Sequence, residues 1–129
     1  MCAEIFRGPR VLLVDEDQEI RLAYSVAIEK LGYKVTAAPS ERQARYCLRG
    51  QRYDLIISDL KTKDGDGEEF LRYAQEYHPR VKFLFFTSKK VAESRFSTPN
   101  FSGVISKTNP ETLFGFLKNF RISVLSLKM

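Results

Sequence analysis

Behind Asp59 the chain reads SDLKTKDGDGEEF, from Ser58 to Phe70, with four further acids and two glycines in a short span. An EF-hand loop needs oxygen ligands at alternate early positions, a glycine at the sixth and a bidentate glutamate at the twelfth. The register that puts Gly67 sixth begins at Thr62 and ends on Tyr73, leaving a weak first ligand and no last one. A calcium loop is excluded. Other polar residues close apolar runs: Asp15-Glu16-Asp17, Asp59, Thr87-Ser88 and Ser106-Lys107. Carboxylates brought together repel one another, so a hard divalent cation with oxygen ligands and retained waters, Mg²⁺ before Ca²⁺, is their natural occupant. A carboxylate beside such a cation can act as a nucleophile toward a phosphoryl group. A lysine and a hydroxyl would steady the charge on the transferring oxygens.

These residues need elements that bring them to one place. Arg10–Asp15, Tyr53–Asp59 and Val81–Thr87 are short apolar runs without polar alternation, the pattern of strands buried on both faces. Lys34–Ala38 and Val104–Ser106 are weaker candidates. Helical spacing aligns Ile20, Tyr24, Ala27, Ile28 and Leu31, then Phe70, Leu71, Ala74 and Tyr77, then Leu113, Leu117, Phe120 and Val124. Ser40 with Gln43 and Asp66 with Glu69 have capping-box spacing, and Asn109-Pro110 supplies an N-cap followed by proline at the first helical position. The alternation predicts five strands and five helices in a three-layer α/β/α fold with a parallel sheet. Open sheets of this kind bind ligands beyond the carboxyl ends of their strands, where the polar run-ends fall.

The 129 residues, 43% hydrophobic and 29% charged, are expected to form a single domain with its core at about residues 10–120. No apolar run approaches the ~20 residues of a membrane span, and MCAEIFRGPR lacks the apolar segment of a secretory signal. The expected location is cytoplasmic. Cys2 and Cys47 have no metal-ligand spacing and read as free thiols, and His78, before Pro79, reads as a loop residue. A net charge of +5 permits an acidic partner.

VLLVDEDQEIR, YDLIISDLKTKDGDGEEFL, FLFFTS and GVISK, in that order and spacing, resemble the receiver domain of two-component response regulators, over about Arg10 to Phe120. The resemblance implies a flavodoxin-like sheet of order 2-1-3-4-5 and a phosphoacceptor signalling domain rather than an enzyme. Asp59 would take a phosphoryl group from a phosphohistidine on a histidine kinase or phosphotransfer protein. Asp15, Glu16, Asp59 and the backbone carbonyl of Lys61 would hold Mg²⁺. Thr87 would hydrogen-bond a phosphoryl oxygen and Lys107 would pair with it. Asp17, Glu68 and Glu69 would cap or solvate helices, and Asp66-Gly67 would cap and start the third. Output would pass to a protein partner through the face of the fourth helix, fifth strand and fifth helix. That face carries Lys89, Lys90, Arg95 and Lys118; direct DNA binding is disfavoured because no recognition helix is apparent.

The chain departs from the family pattern at Lys63 and Thr108, where proline is usual, and at Val104, where an aromatic switch residue is usual. Without that proline, the Lys107–Thr108 peptide is expected trans. Pro99 and the Ser/Thr-rich stretch before it predict a short fourth helix. Two other readings stay open. In a haloacid-dehalogenase-type phosphatase the acceptor would be Asp15, although Gln18-Glu19 stands where that motif continues Gly-Thr. A degenerate receiver would serve as a phosphorylation-independent scaffold. A nucleotide or flavin binder is excluded by the lack of a glycine-rich loop after the first strand.

Overall fold

The computed structural model describes residues 8–62 and 64–128. Cys2 and Lys63, both singled out above, lie outside the described residues. The elements run β1 Arg10–Val14, α1 Gln18–Lys30, β2 Lys34–Ala38, α2 Glu41–Gly50, β3 Leu55–Ser58, β4 Lys61–Thr62, β5 Gly65–Asp66, α3 Gly67–Tyr77, β6 Lys82–Thr87, β7 Phe101–Ser106 and α4 Pro110–Lys128. One 3-10 turn, Glu93–Arg95, lies between β6 and β7.

Five strands form one parallel sheet in the order β2-β1-β3-β6-β7, while β4 and β5 pair only with each other as an antiparallel ribbon. With the ribbon set aside, this is the expected 2-1-3-4-5 order. The apolar runs lack alternation because both faces of the sheet are covered. Leu12, Val14, Ile56, Phe83 and Phe85 face α2 and α3, packing with Leu48, Phe70 and Leu71. Val11, Leu13, Leu55, Ile57, Leu84 and Phe86 face α1 and α4, packing with Ile28, Leu113 and Leu117. Each such side chain, taken fully from water, contributes about 1.5–3 kcal/mol before entropy is counted.

The helix starts follow their signals. Asp17 Oδ1 accepts from the amides of Glu19 and Ile20 at 2.9 and 3.3 Å, Ser40 Oγ from Gln43 at 3.2 Å, and Asp66 Oδ1 from Glu68 at 2.9 Å. No helix among the described residues is long and apolar enough to cross a membrane.

Three expectations are corrected. The segment between β6 and β7 holds no fourth α-helix, only the 3-10 turn. Pro99 bars helix at Thr98, and the segment is held by other contacts. Arg95 pairs with Glu68 at 2.8 Å, Phe96 is buried against Phe85 and Phe101, and Glu93 Oε2 accepts from the Val104 amide at 3.0 Å. Arg95 is therefore already paired on the basic face. Next, Tyr77 leaves the buried stripe of α3: it is 62% exposed, its ring 5.1 Å from that of Tyr73. Finally, the weakest strand candidate begins at Phe101 rather than Val104, because Phe101 pairs with Phe83 ahead of an irregularity at Gly103.

Candidate functional site

The sheet register decides which polar residues meet. Val14 pairs with Ser58, so Asp15 and Asp59 leave adjacent strands at one level. The ladder continues one step past each strand end: Asp15 N donates to Ala38 O, Asp59 N to Val14 O and Lys107 N to Thr87 O, at 3.0–3.1 Å. These bonds fix three backbones that carry reactive side chains. Neighbouring strands lie about 4.8 Å apart, so a lysine at the end of β7 spans β6 to reach β3.

Lys107 Nζ lies 2.6 Å from Asp15 Oδ2 and 2.7 Å from Asp59 Oδ2. The second oxygen of each carboxylate is also engaged: Asp15 Oδ1 accepts from the Asp17 amide at 3.0 Å and Asp59 Oδ1 from the Leu60 amide at 2.7 Å. Burial pulls the Lys107 ammonium's pKa down, but hydrogen bonds and charge from Asp15 and Asp59 outweigh it and hold the value above that of an ordinary lysine. Lys107 is a fixed cation across the pocket.

Other predicted residues are placed differently. Thr87 is fully buried at the end of β6, its Oγ1 accepting from the Lys89 amide at 3.2 Å. Glu16 is exposed beside Asp15 with no hydrogen bond or ion pair among the described residues, and Lys61 lies on the ribbon with its side chain exposed. Asp15, Asp59 and Lys107 are thus brought together; Glu16 and Lys61 make no hydrogen bond to them. Among the described residues, no group of three or more His, Cys, Asp and Glu side chains is gathered to hold a metal ion. Two converging carboxylates nevertheless suit Mg²⁺, which is commonly held by one or two and keeps several waters.

Two supporting residues carried no signal for this role. Arg21 Nη1, one turn into α1, donates to the backbone oxygen of Asp15 at 2.7 Å. Gly67 lets α3 press on the acceptor loop: its amide donates to Leu60 O at 2.8 Å, and a Cβ there would lie 2.4 Å from Leu60 O and 2.9 Å from Asp59 O. No cis peptide bond occurs among the described residues, so Lys107–Thr108 is trans as expected.

The chain is 33% identical over 78 residues to the response regulator receiver protein CpdR of Brucella abortus, covering 60% of this chain and 65% of CpdR. It is 32% identical over 89 residues to the sensor kinase CckA of the same organism, covering 67% of this chain but 9% of CckA. The chain thus spans less than two thirds of the length of these relatives. The response regulator TrrA of Thermotoga maritima, solved in complex with Mg²⁺-BeF, superposes with a TM-score of 0.78 at 22% identity, over 87% of this chain and 98% of TrrA. At that identity the likeness carries the fold alone. The family model of the response regulator receiver domain matches residues 11–117, spanning both carboxylates, the buried threonine and the bridging lysine, and the chain belongs to that family.

Proposed function

We propose that this domain accepts a phosphoryl group on Asp59 from a phosphohistidine of a histidine kinase or phosphotransfer protein and relays the signal by a change of conformation. The observation that carries this reading is the single ammonium of Lys107 shared by Asp15 Oδ2 and Asp59 Oδ2. Its partner oxygen on Asp59 faces a site where positive charge is already fixed. In the transfer, Asp59 bonds to phosphorus as the P–N bond breaks, and the histidine nitrogen leaves with that bond's electron pair. Lys107 stays in place to neutralise charge on the transferring oxygens. The Thr87 hydroxyl, held by the Lys89 amide, turns to a phosphoryl oxygen and pulls on the following loop, biasing two pre-existing states.

Asp15, Asp59, Glu16 and the Lys61 carbonyl would hold Mg²⁺ as the cofactor, which would supply charge neutralisation at the phosphoryl oxygens. The match to the receiver-domain family and the two converging carboxylates support the cofactor, and the sensor-kinase relative CckA supports the donor class. The domain's place is the cytoplasm. Output passes to a protein partner on the face of the 3-10 turn, β7 and α4, where Lys89, Lys90 and Lys118 are exposed.

A second reading is a phosphorylation-independent scaffold. It is favoured by the lack of a third carboxylate gathered at the pair among the described residues. One experiment separates the two: incubation with a small phosphodonor and Mg²⁺, followed by mass-spectrometric mapping. Labelling of Asp59 that vanishes in Asp59→Asn and in excess chelator supports the acceptor. No labelling, or undiminished labelling of Asp59→Asn, overturns it, and labelling of Asp15 would mark the phosphatase-like alternative.

A further inference from the structure

Away from the phosphoacceptor edge, α2 presents a cationic surface that the receiver reading does not use. Arg42, Tyr46 and Arg49 stand four and three residues apart and so share one stripe of the helix. All three are exposed, Tyr46 by 71%. A groove of about 900 Å³ runs along the stripe, with Pro39, Gln43, Cys47 and Asp64 completing its walls.

Internal contacts account for the neighbouring charges and leave these two arginines. Arg45 is spoken for: its Nε donates to Glu41 Oε2 at 2.9 Å and its guanidinium lies 4.1 Å over the Tyr73 ring of α3. Asp64, the acid in the groove wall, is also committed, accepting from the amides of Glu41 and Arg42 at 3.1 and 3.2 Å. Arg42 and Arg49 have no ion pair among the described residues; Arg49 only lies over the Tyr46 ring, 5.7 Å from its centre. Arg52, just past the helix end, is exposed and likewise without an ion pair among the described residues.

We infer that the α2 groove docks an acidic, extended segment of a partner protein, with Tyr46 as the aromatic anchor and Arg42 and Arg49 as carboxylate clamps. The spacing suits that occupant. Seven helical residues place the two arginines about 10 Å apart along the axis. On an extended segment of polyproline II type, with three residues per turn, carboxylates three residues apart share one face and are separated by about 9 Å. An arginine presents a planar fork matched to a carboxylate, and an exposed tyrosine flanked by arginine is the composition of a binding hot spot. A nucleic-acid strand is the poorer fit, since sequence-tolerant strand binding relies on successive aromatic platforms and this groove offers one.

The inference does not depend on phosphorylation of Asp59, so its test runs on the unmodified chain. The probe is a fluorescein-labelled twelve-residue peptide with Glu at every third position and a central Leu. Its controls are the same peptide with Gln for Glu and a fluorescein-labelled single-stranded oligonucleotide. Fluorescence anisotropy near physiological salt is expected to show binding of the acidic peptide, about tenfold weaker binding to Arg42→Ala/Arg49→Ala, and loss in the Gln peptide. Tyr46→Ala is expected to weaken it as well, and Lys30→Ala, at the exposed end of α1 on the other side of the sheet, to leave it unchanged. Both arginines are exposed and lack ion pairs, so circular dichroism should report an unaltered fold in the double variant. Absence of peptide binding, equal binding to the double variant, or tighter binding of the oligonucleotide through the same arginines overturns the proposal.

Discussion

Lys107 Nζ sits 2.7 Å from Asp59 Oδ2, which ties the edge strand β7 to the central strand β3 across β6. The same nitrogen holds Asp15, whose side chain is only 3% exposed. Removing the ammonium strands two carboxylates, one of them deeply buried. Lys107→Ala is therefore expected to destabilise the domain at neutral pH by about 1–3 kcal/mol, read from the urea midpoint. Adding Asp15→Asn should recover part of that loss, since one uncompensated charge is removed. An unchanged midpoint in Lys107→Ala would show that the bridge contributes nothing to the unmodified fold.

The raised pKa of Lys107 has a defined sign. A cation whose folded value exceeds its unfolded value near 10.5 contributes stability in full below that value. The contribution is lost as pH rises through the folded value. The stability difference between wild type and Lys107→Ala should thus be constant from pH 7 to 9 and shrink only above 10.5. Shrinkage beginning near neutrality would contradict the bridge.

Glu41 offers a window of the same sign in the acid range. Burial raises its pKa, against the hydrogen bond and charge of Arg45, with Asp64 and Glu69 adding to the rise. Its neutral form is favoured in the fold, so the stability it lends is present at low pH and lost as pH rises through the folded value. Relative to wild type, Glu41→Gln should gain stability as pH rises from about 4.5. Denaturant titrations across that rise check it, and a falling difference would refute the assignment.

Gly67 stands where a side chain cannot. A Cβ 2.4 Å from Leu60 O would force α3 and the Asp59 loop apart. Gly67→Ala is expected to destabilise by about 1–3 kcal/mol and to slow labelling of Asp59 by a small phosphodonor. Wild-type stability together with wild-type labelling would mean that the loop gives way at no cost.

Asp64 caps α2 from the ribbon, a long-range supplement to the local cap Ser40. Asp64→Ala should cost about 1 kcal/mol and leave Asp59 chemistry intact. Hydrogen exchange should quicken at the amides of Glu41 and Arg42. Unaltered exchange at both would remove Asp64 from this role.

Glu93 performs a similar service at the sheet edge, where the Val104 amide would otherwise face solvent. Glu93→Ala is expected to raise the exchange rate of that amide while the amides of α1 keep theirs. Full protection of Val104 in the variant would show that another group satisfies it.

Much of this molecule was legible along the chain. Three strands announced themselves as unalternating apolar runs because a sheet covered on both faces tolerates no polar residue in either direction. Asp17, Ser40 and Asp66 announced helix starts because short polar side chains satisfy the orphan amides of a first turn within three residues. Asp15, Asp59, Thr87 and Lys107 could be named because each closes a strand, and parallel strands deliver their ends to one edge. These are local rules, or periodic ones, and sequence distance does not blur them. The register of β1 against β3, which levels Asp15 with Asp59, could not be read, since parallel pairing joins residues separated by intervening helices. For the same reason the chain alone did not reveal that Lys107 bridges both carboxylates, that Arg21 secures the Asp15 backbone or that Asp64 caps α2. The loss of a fourth helix was half visible in Pro99, but its replacement by anchors at Glu93, Arg95 and Phe96 was settled by β7, α3 and β6 arriving from elsewhere in the chain. Local propensity proposes an element; contacts between residues distant in sequence decide which of its groups meet.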